Sequence, residues 1–213
     1  ASADSMSEQH PEILIVGSGA MGALFGAILF ENGRNVILYD MNNEHIQAIQ
    51  ENGLQIEGFG GNRKVPIPAT TDLGQLESAE ILLFQCKAHG TRNAAQAVKH
   101  LIRDHSVCIS FQNGLGNEEV ISEELGHQYV LGGLTAMAAM LLGPGTLRDF
   151  SRVPSHIGEM QGKTSARTEA IASRLSDAGL ETHVSEDIRR DIWKKLLGNI
   201  SMSALSGLTD LSS

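Results

Sequence analysis

Along the chain, short apolar runs alternate with stretches in which apolar positions recur every three or four residues, the first reading as strands and the second as helices. Residues 12–16 open the series as a strand, and 20–31 follow as a helix closed by Asn32 and Gly33. A strand at 35–40 and a helix at 43–51, stopped by Asn52 and Gly53, repeat the unit. Residues 54–69 break the rhythm, because Gly and Pro interrupt short β-type pieces; this predicts a hairpin excursion rather than another crossover. Alternation resumes with strands at 80–85 and 106–111, apolar on both faces as central parallel strands are, and helices at 91–103 and 117–125. Strands then crowd together at 129–132, 135–141, 146–150 and 155–158. The turn Gly143-Pro144-Gly145 between two of them predicts an antiparallel or mixed edge. A helix at 164–178, a strand at 181–184 and a helix from Glu186 past Asn199 complete the pattern.

Strand–helix alternation predicts an α/β fold with a doubly wound, largely parallel sheet over residues 12–185. Residues 1–11 read as a leader remnant with a native start near Met6, and 186–213 as the first helix of an α-helical domain that is mostly absent from the chain. Hydrophobic residues at 41% and charged residues at 19% fit a globular chain rather than a disordered one. The net charge of −9 argues against nucleic acid as a partner, while one or two placed cations would still serve a small anionic substrate. Cys86 and Cys108 lie in or at the end of apolar runs and read as buried free thiols in a reducing compartment. No Cys/His spacing suits a metal, so none is expected. The longest apolar helical stretch, 20–30, is too short to span a bilayer, and the start has no signal-peptide pattern; a cytoplasmic protein is expected.

Between the first strand and helix stands Gly17-Ser18-Gly19-Ala20-Met21-Gly22. In a strand–loop–helix, the first glycine allows the tight turn, the second lets backbone approach a pyrophosphate, and the third packs helix on strand. The helix N-terminus adds unpaired N–H groups and a positive dipole end. These six residues are therefore the expected dinucleotide cradle of a Rossmann-type domain; the alternative is a glycine-rich turn used only for packing. Asp40 ends the second strand, eighteen residues after Gly22, where a carboxylate can accept from adenosine ribose hydroxyls and would repel a 2′-phosphate. It favours NAD over NADP, unless it serves only as an acid near the next helix N-terminus.

Four further segments carry a more specific likeness: Gln85-Cys86-Lys87-Ala88-His89, Gln112-Asn113-Gly114-Leu115-Gly116-Asn117-Glu118, Gly143-Pro144-Gly145 leading to His156-Ile157-Gly158-Glu159, and the stretch from Trp193 to Asn199. In this order they resemble the ketopantoate reductase (2-dehydropantoate 2-reductase) family, from Glu12 to about Leu205. The resemblance implies a Rossmann domain followed by a helical domain, with the active site in the cleft between them. It also implies reduction of 2-dehydropantoate to D-pantoate with NADPH, a step toward pantothenate and coenzyme A. Carried over, Lys195 corresponds to the catalytic lysine, Asn199 to a substrate-binding asparagine, and Asn113 to the residue that meets nicotinamide ribose and substrate. Lys87 follows a strand whose end faces the cofactor. Family members are often dimers, so a homodimer is implied.

Helical spacing supports the lysine independently. Lys195, Asn199 and Ser203 drift along one face, making Ser203 a further substrate-side candidate, while Trp193, Leu196, Leu197 and Ile200 cluster opposite and are expected to be buried. Trp193 reads as a core anchor, Lys194 as solvated, and His89 as a loop residue without an acid–base partner. The chain departs from the family in carrying Met41 where NADPH-preferring members have arginine, and Ser203 where they often have asparagine. Two other readings therefore stand beside the reductase: an NAD-dependent D-2-hydroxyacid dehydrogenase acting on another 2-keto acid, and a non-catalytic NAD(P)-binding sensor or inactive fragment.

Overall fold

A computed structural model of the chain describes residues 8–209. The expected native start near Met6 and the last residue, Ser213, lie outside the described residues. In chain order the elements are β1 (Ile13–Val16), α1 (Ala20–Glu31), β2 (Val36–Tyr39), α2 (Asn43–Asn52), β3 (Leu54–Gly58), β4 (Arg63–Val65), β5 (Ala69–Thr70), β6 (Ile81–Phe84), α3 (Thr91–Val98), β7 (Val107–Ser110) and α4 (Asn117–Leu125). Then come β8 (Val130–Leu134), β9 (Ala139–Gly143), β10 (Thr146–Asp149), β11 (Ser155–Glu159), α5 (Ala166–Asp177), β12 (Thr182–Val184) and α6 (Ile188–Thr209).

The main sheet runs β12-β11-β8-β7-β6-β1-β2-β5. All its pairings are parallel except β8 with β11. Alternate residues of each strand face opposite sides. Ile13 and Ile15 join α1 and α5 in one core, while Leu14 and Val16 join α3 and α4 in the other. Helix α1 is buried from Gly22 to Leu29, which is why its sequence is apolar around almost its whole circumference. From β1 the chain winds outward to β2 and β5, then returns to the other side of β1 as β6. The β1/β6 boundary is thus the topological switch point, where open α/β sheets place their ligands beyond the carboxyl ends of the strands.

The expected hairpin at 54–69 forms as β3 and β4, but it does not belong to the main sheet, and neither does the β9–β10 hairpin around Gly143-Pro144-Gly145. The two hairpins join in a second sheet, β4-β3-β10-β9, through parallel pairing of β3 with β10. Segments some ninety residues apart meet here, and short-range periodicity carries no signal for such pairing. Gly58 permits the close approach: a Cβ there would lie 2.4 Å from the Asp149 carbonyl oxygen. Three smaller corrections have local causes. Residues 69–70 return to the main sheet as an edge strand on β2. Residues 135–138 leave the strand pattern where Thr135 Oγ1 accepts from Met137 N–H, and α3 ends at Val98, followed by a single 3₁₀ turn.

Helix α6 is seated by two glycines. A Cβ on Gly132 of β8 or on Gly158 of β11 would come within 3.0 Å of Ile188, the first residue of α6. Only hydrogen fits there, so Ile188 rests directly on the sheet. Gly158 has no left-handed backbone conformation, so a side chain there is opposed by sterics alone. We expect Gly158→Val to cost about 1–3 kcal/mol through overpacking, read as a lower urea midpoint; an unchanged midpoint would show that α6 is not held at this notch.

Candidate active site

Each glycine of the first loop has a distinct surrounding. Gly17, at φ +96°, packs so closely on the chain after β6 that a Cβ would lie 2.4 Å from the Cys86 nitrogen. A Cβ on Gly22 would lie 2.0 Å from the Gly17 carbonyl oxygen. Around Gly19 there is nothing within 4 Å of that position, and no side chain caps the N-terminus of α1. The loop is therefore tight on its inner side and bare on its outer side, which fits a dinucleotide's phosphates approaching backbone N–H groups. Ala20 and Met21 form the first turn of α1 and are half-buried.

Asp40 braces this loop. Its Oδ2 accepts from Ser18 N–H at 2.8 Å and its Oδ1 from Asn42 N–H at 2.9 Å. Asn42, not Asp40, caps α2, accepting from His45 N–H at 3.1 Å. Ser18, expected on the cofactor side, is fully buried, and its hydroxyl donates to the Tyr39 carbonyl at 3.0 Å. Ser18 shapes the loop from within: its N–H, hydroxyl and carbonyl are engaged by Asp40, Tyr39 and His45. Lys87 and His89 are exposed just beyond β6, and Met41 is exposed beside Asp40. Both cysteines are free thiols, Cys108 buried and Cys86 half-buried; burial raises both, Cys108 to about 12.

The second cluster lies at the same edge of the sheet, beyond β7 and β8. Gln112 Nε2 donates to the Cys86 carbonyl and to Thr91 Oγ1, both at 2.8 Å. Thr91 donates to Asn117 Oδ1 at 3.2 Å, and Asn117 Nδ2 donates to the Asn113 carbonyl at 3.1 Å. This largely buried network ties the loop carrying Asn113 to the loop after β6, which packs against the glycines. Lys195 Nζ donates to the Thr135 carbonyl at 2.6 Å and to Asn113 Oδ1 at 3.2 Å. Asn113, Lys195 and Asn199 share a cavity of about 70 Å³ with Gly133, Thr135 and Ile192. Burial lowers the pKa of Lys195 below the ordinary lysine value.

The orientation of α6 reverses the expected burial. Ile188 and Ile192, 0% and 7% exposed, lie on the same side of the helix as Lys195 and bury that side against the sheet. Trp193 is 51% exposed, and Leu197 and Ile200 are also exposed, so the core reading of Trp193 and of its apolar neighbours is corrected. Contact is made by the first turns of α6, and residues 197–207 are exposed. Ser203 is exposed too; it donates to the Asn199 carbonyl at 2.9 Å and does not line the cavity, so it is separated from the other candidates. Residue spacing missed Gln112, Thr91 and the Thr135 carbonyl. The first two lie in or beside segments already singled out, but a backbone acceptor has no signature in side-chain identity.

The family model described as ketopantoate reductase PanE/ApbA matches residues 13–162. The chain belongs to this family. Among curated relatives, the 2-dehydropantoate 2-reductase of Halobacterium salinarum is 30% identical over 93% of this chain and 66% of its own length. That of Pyrococcus abyssi is 32% identical over 94% and 65%. The chain thus spans about two thirds of the length of the curated relatives it matches. Among solved structures, 2-dehydropantoate 2-reductase from Geobacter metallireducens superposes with a TM-score of 0.82 at 26% identity, covering 88% of this chain and 62% of that one. D-mandelate dehydrogenase with NADH and anilino(oxo)acetate gives 0.78 at 29%, covering 86% and 59%. Like the members it matches, this ketopantoate reductase family chain has a Rossmann-type sheet. Among its described residues no helix is long and apolar enough to cross a membrane, and no cluster of His, Cys, Asp and Glu could hold a metal.

A larger cavity of about 360 Å³ adjoins the first across Ile192, lined by Leu115, Glu118, Arg189 and Trp193 among others. Burial pushes the Glu118 carboxyl up to about 7. The folded state therefore binds this proton more tightly than the unfolded chain does. Stability should fall as pH rises from the ordinary carboxyl value toward 7 and stay low above it. We expect Glu118→Gln to remove that fall and to gain about 1–3 kcal/mol above pH 7, measured by urea denaturation across pH; an unchanged pH profile would refute the assignment. For Lys195 the sign is opposite in charge: burial disfavours the ammonium, so its penalty is present at low pH and is relieved as pH rises through the lowered pKa. Carbon-13 methyl labelling of the lysines should show Lys195 titrating below the ordinary lysine value, and a titration at or above that value would contradict its burial.

Proposed function

We propose that the protein reduces 2-dehydropantoate to D-pantoate with a nicotinamide cofactor, within pantothenate and coenzyme A biosynthesis. In this reading residues 12–185 form the dinucleotide-binding domain and the helix after 186 brings the catalytic lysine from the next domain. The carrying observation is the Lys195 amine, held between Asn113 Oδ1 and the Thr135 carbonyl at the sheet edge that also bears the glycine loop. Gly17, Gly19, Ala20, Met21 and Gly22 would cradle the cofactor phosphates, Asp40 would face the adenosine ribose, and Lys87 would flank the site. When bound, the cofactor supplies a hydride to the keto carbon.

The chain's own residues supply the rest. A lysine ammonium has three donors, and two are engaged by Asn113 and Thr135, leaving one for the substrate carbonyl. As negative charge grows on that oxygen, the ammonium stabilises it and delivers the proton that completes the hydroxyl. Lys195 is left as a neutral amine and regains its proton from water, and its lowered pKa favours the donation. Because Asn113 Oδ1 faces Lys195, its amide N–H groups remain free to donate to the substrate, as does the amide of Asn199. Losing either contact would remove a hydrogen bond that orients the substrate.

A second reading is favoured by Asp40 and by the likeness to D-mandelate dehydrogenase solved with NADH: an NAD-dependent D-2-hydroxyacid dehydrogenase on another 2-keto acid. Calorimetry with NADPH and NADH, followed by nicotinamide absorbance with 2-dehydropantoate and with phenylglyoxylate, separates the two. We expect Lys195→Ala to lower kcat/KM about a hundredfold or more while cofactor affinity changes little. Turnover that survives the substitution would remove Lys195 from the chemistry.

A further inference from the structure

The turn Gly143-Pro144-Gly145 belongs to the second sheet, which takes no part in the chemistry above, yet it reaches the glycine loop through one side chain. His45 of α2 is 2% exposed. Its Nε2 lies 2.7 Å from the Ser18 carbonyl oxygen, and its Nδ1 lies 2.9 Å from the Gly145 nitrogen. A carbonyl can only accept and a backbone N–H can only donate, so the two partners permit one form of the ring: neutral, protonated at Nε2, with Nδ1 as acceptor. Gly145 can come this close because it has no side chain. At φ +70°, a Cβ there would lie 2.9 Å from the Cβ of Ala48, one turn along α2.

The pinned carbonyl is half of a peptide unit. In a trans peptide the C=O of Ser18 and the N–H of Gly19 point in opposite directions. With the carbonyl drawn to His45, the Gly19 N–H points away from His45, and a Cβ on Gly19 would have nothing within 4 Å, so the backbone is open at this residue. The other polar groups of Ser18 are also fixed, the N–H by Asp40 and the hydroxyl by the Tyr39 carbonyl. Rotation of the Ser18–Gly19 peptide is therefore opposed mainly by the imidazole, which is itself held by the turn of the second sheet.

We infer that His45 is a positioning residue for the cofactor, holding the Ser18–Gly19 peptide so that the Gly19 N–H faces the dinucleotide phosphates, with the 143–145 turn fixing the ring. This rests on reading the glycine loop as the cofactor cradle. The test uses the whole chain, nitrogen-15 labelled, with wild type, His45→Ala and His45→Gln compared. Long-range proton–nitrogen spectra of the cofactor-free wild type should show a neutral, Nε2-protonated ring, and calorimetry should show NADH or NADPH affinity about tenfold weaker in His45→Ala. Partial recovery is expected in His45→Gln, whose amide can still donate to the Ser18 carbonyl. An Nδ1-protonated or doubly protonated ring at neutral pH overturns the proposal, and so does unchanged affinity in a folded His45→Ala. If the wild type binds neither cofactor, the cradle reading fails, and the ring spectrum still decides whether the imidazole holds the loop. Should His45→Ala not fold, the spectrum and His45→Gln decide.

Discussion

Close backbone approach at the boundary between β1 and β6 is the constraint on which the rest depends. Gly17 lies against Cys86, and Gly22 lies against Gly17, at separations that no side chain could share. These contacts fold the loop flat, start α1 directly over β1 and lock the ends of two central strands together. The same flatness leaves Gly19 bare. An open outer backbone and a tightly packed interior are two faces of one loop, since the glycines that remove bulk inside also leave the backbone open outside.

The lysine depends on a comparable absence of side chains at a different place. Ile188 sits on Gly132 and Gly158, and that contact fixes where α6 begins on the sheet. Lys195 follows two turns later on the same side, about 10 Å along the helix, and reaches the Thr135 carbonyl and Asn113. Asn113 is in turn held by a chain of side-chain hydrogen bonds through Asn117, Thr91 and Gln112 to the Cys86 carbonyl. The two halves of the site therefore converge on one residue's backbone: Cys86 packs against Gly17 on one side and accepts from Gln112 on the other. Such convergence gives a physical route by which the glycine loop and the Lys195 cluster keep register.

The legible parts of this molecule were those in which one short segment contains its own cause. Residues 12–16 read as a strand because a run of four apolar residues fills it, and 20–31 as a helix closed by Asn32 and Gly33. The glycine loop was legible because its residue types answer a backbone requirement at fixed spacing. The same holds for the sequence signal of Lys195 and Asn199, one turn apart. The partners of Ser18 were not legible, because its position in the loop does not reveal that Asp40, Tyr39 and His45 occupy its polar groups. Trp193 was misread because helical spacing separates the faces of α6 without telling which one meets the sheet.

The order of strands and helices, the glycine loop, the acid after β2 and the family to which the chain belongs can be read without a structure, because each is written in contiguous residues. That two distant hairpins make a second sheet, that α6 turns its lysine side inward, and that His45 links Gly145 to Ser18 emerged only from the folded chain. Those outcomes depend on pairings between segments far apart in the chain and on backbone groups that every residue carries alike, so no local pattern of side chains can announce them.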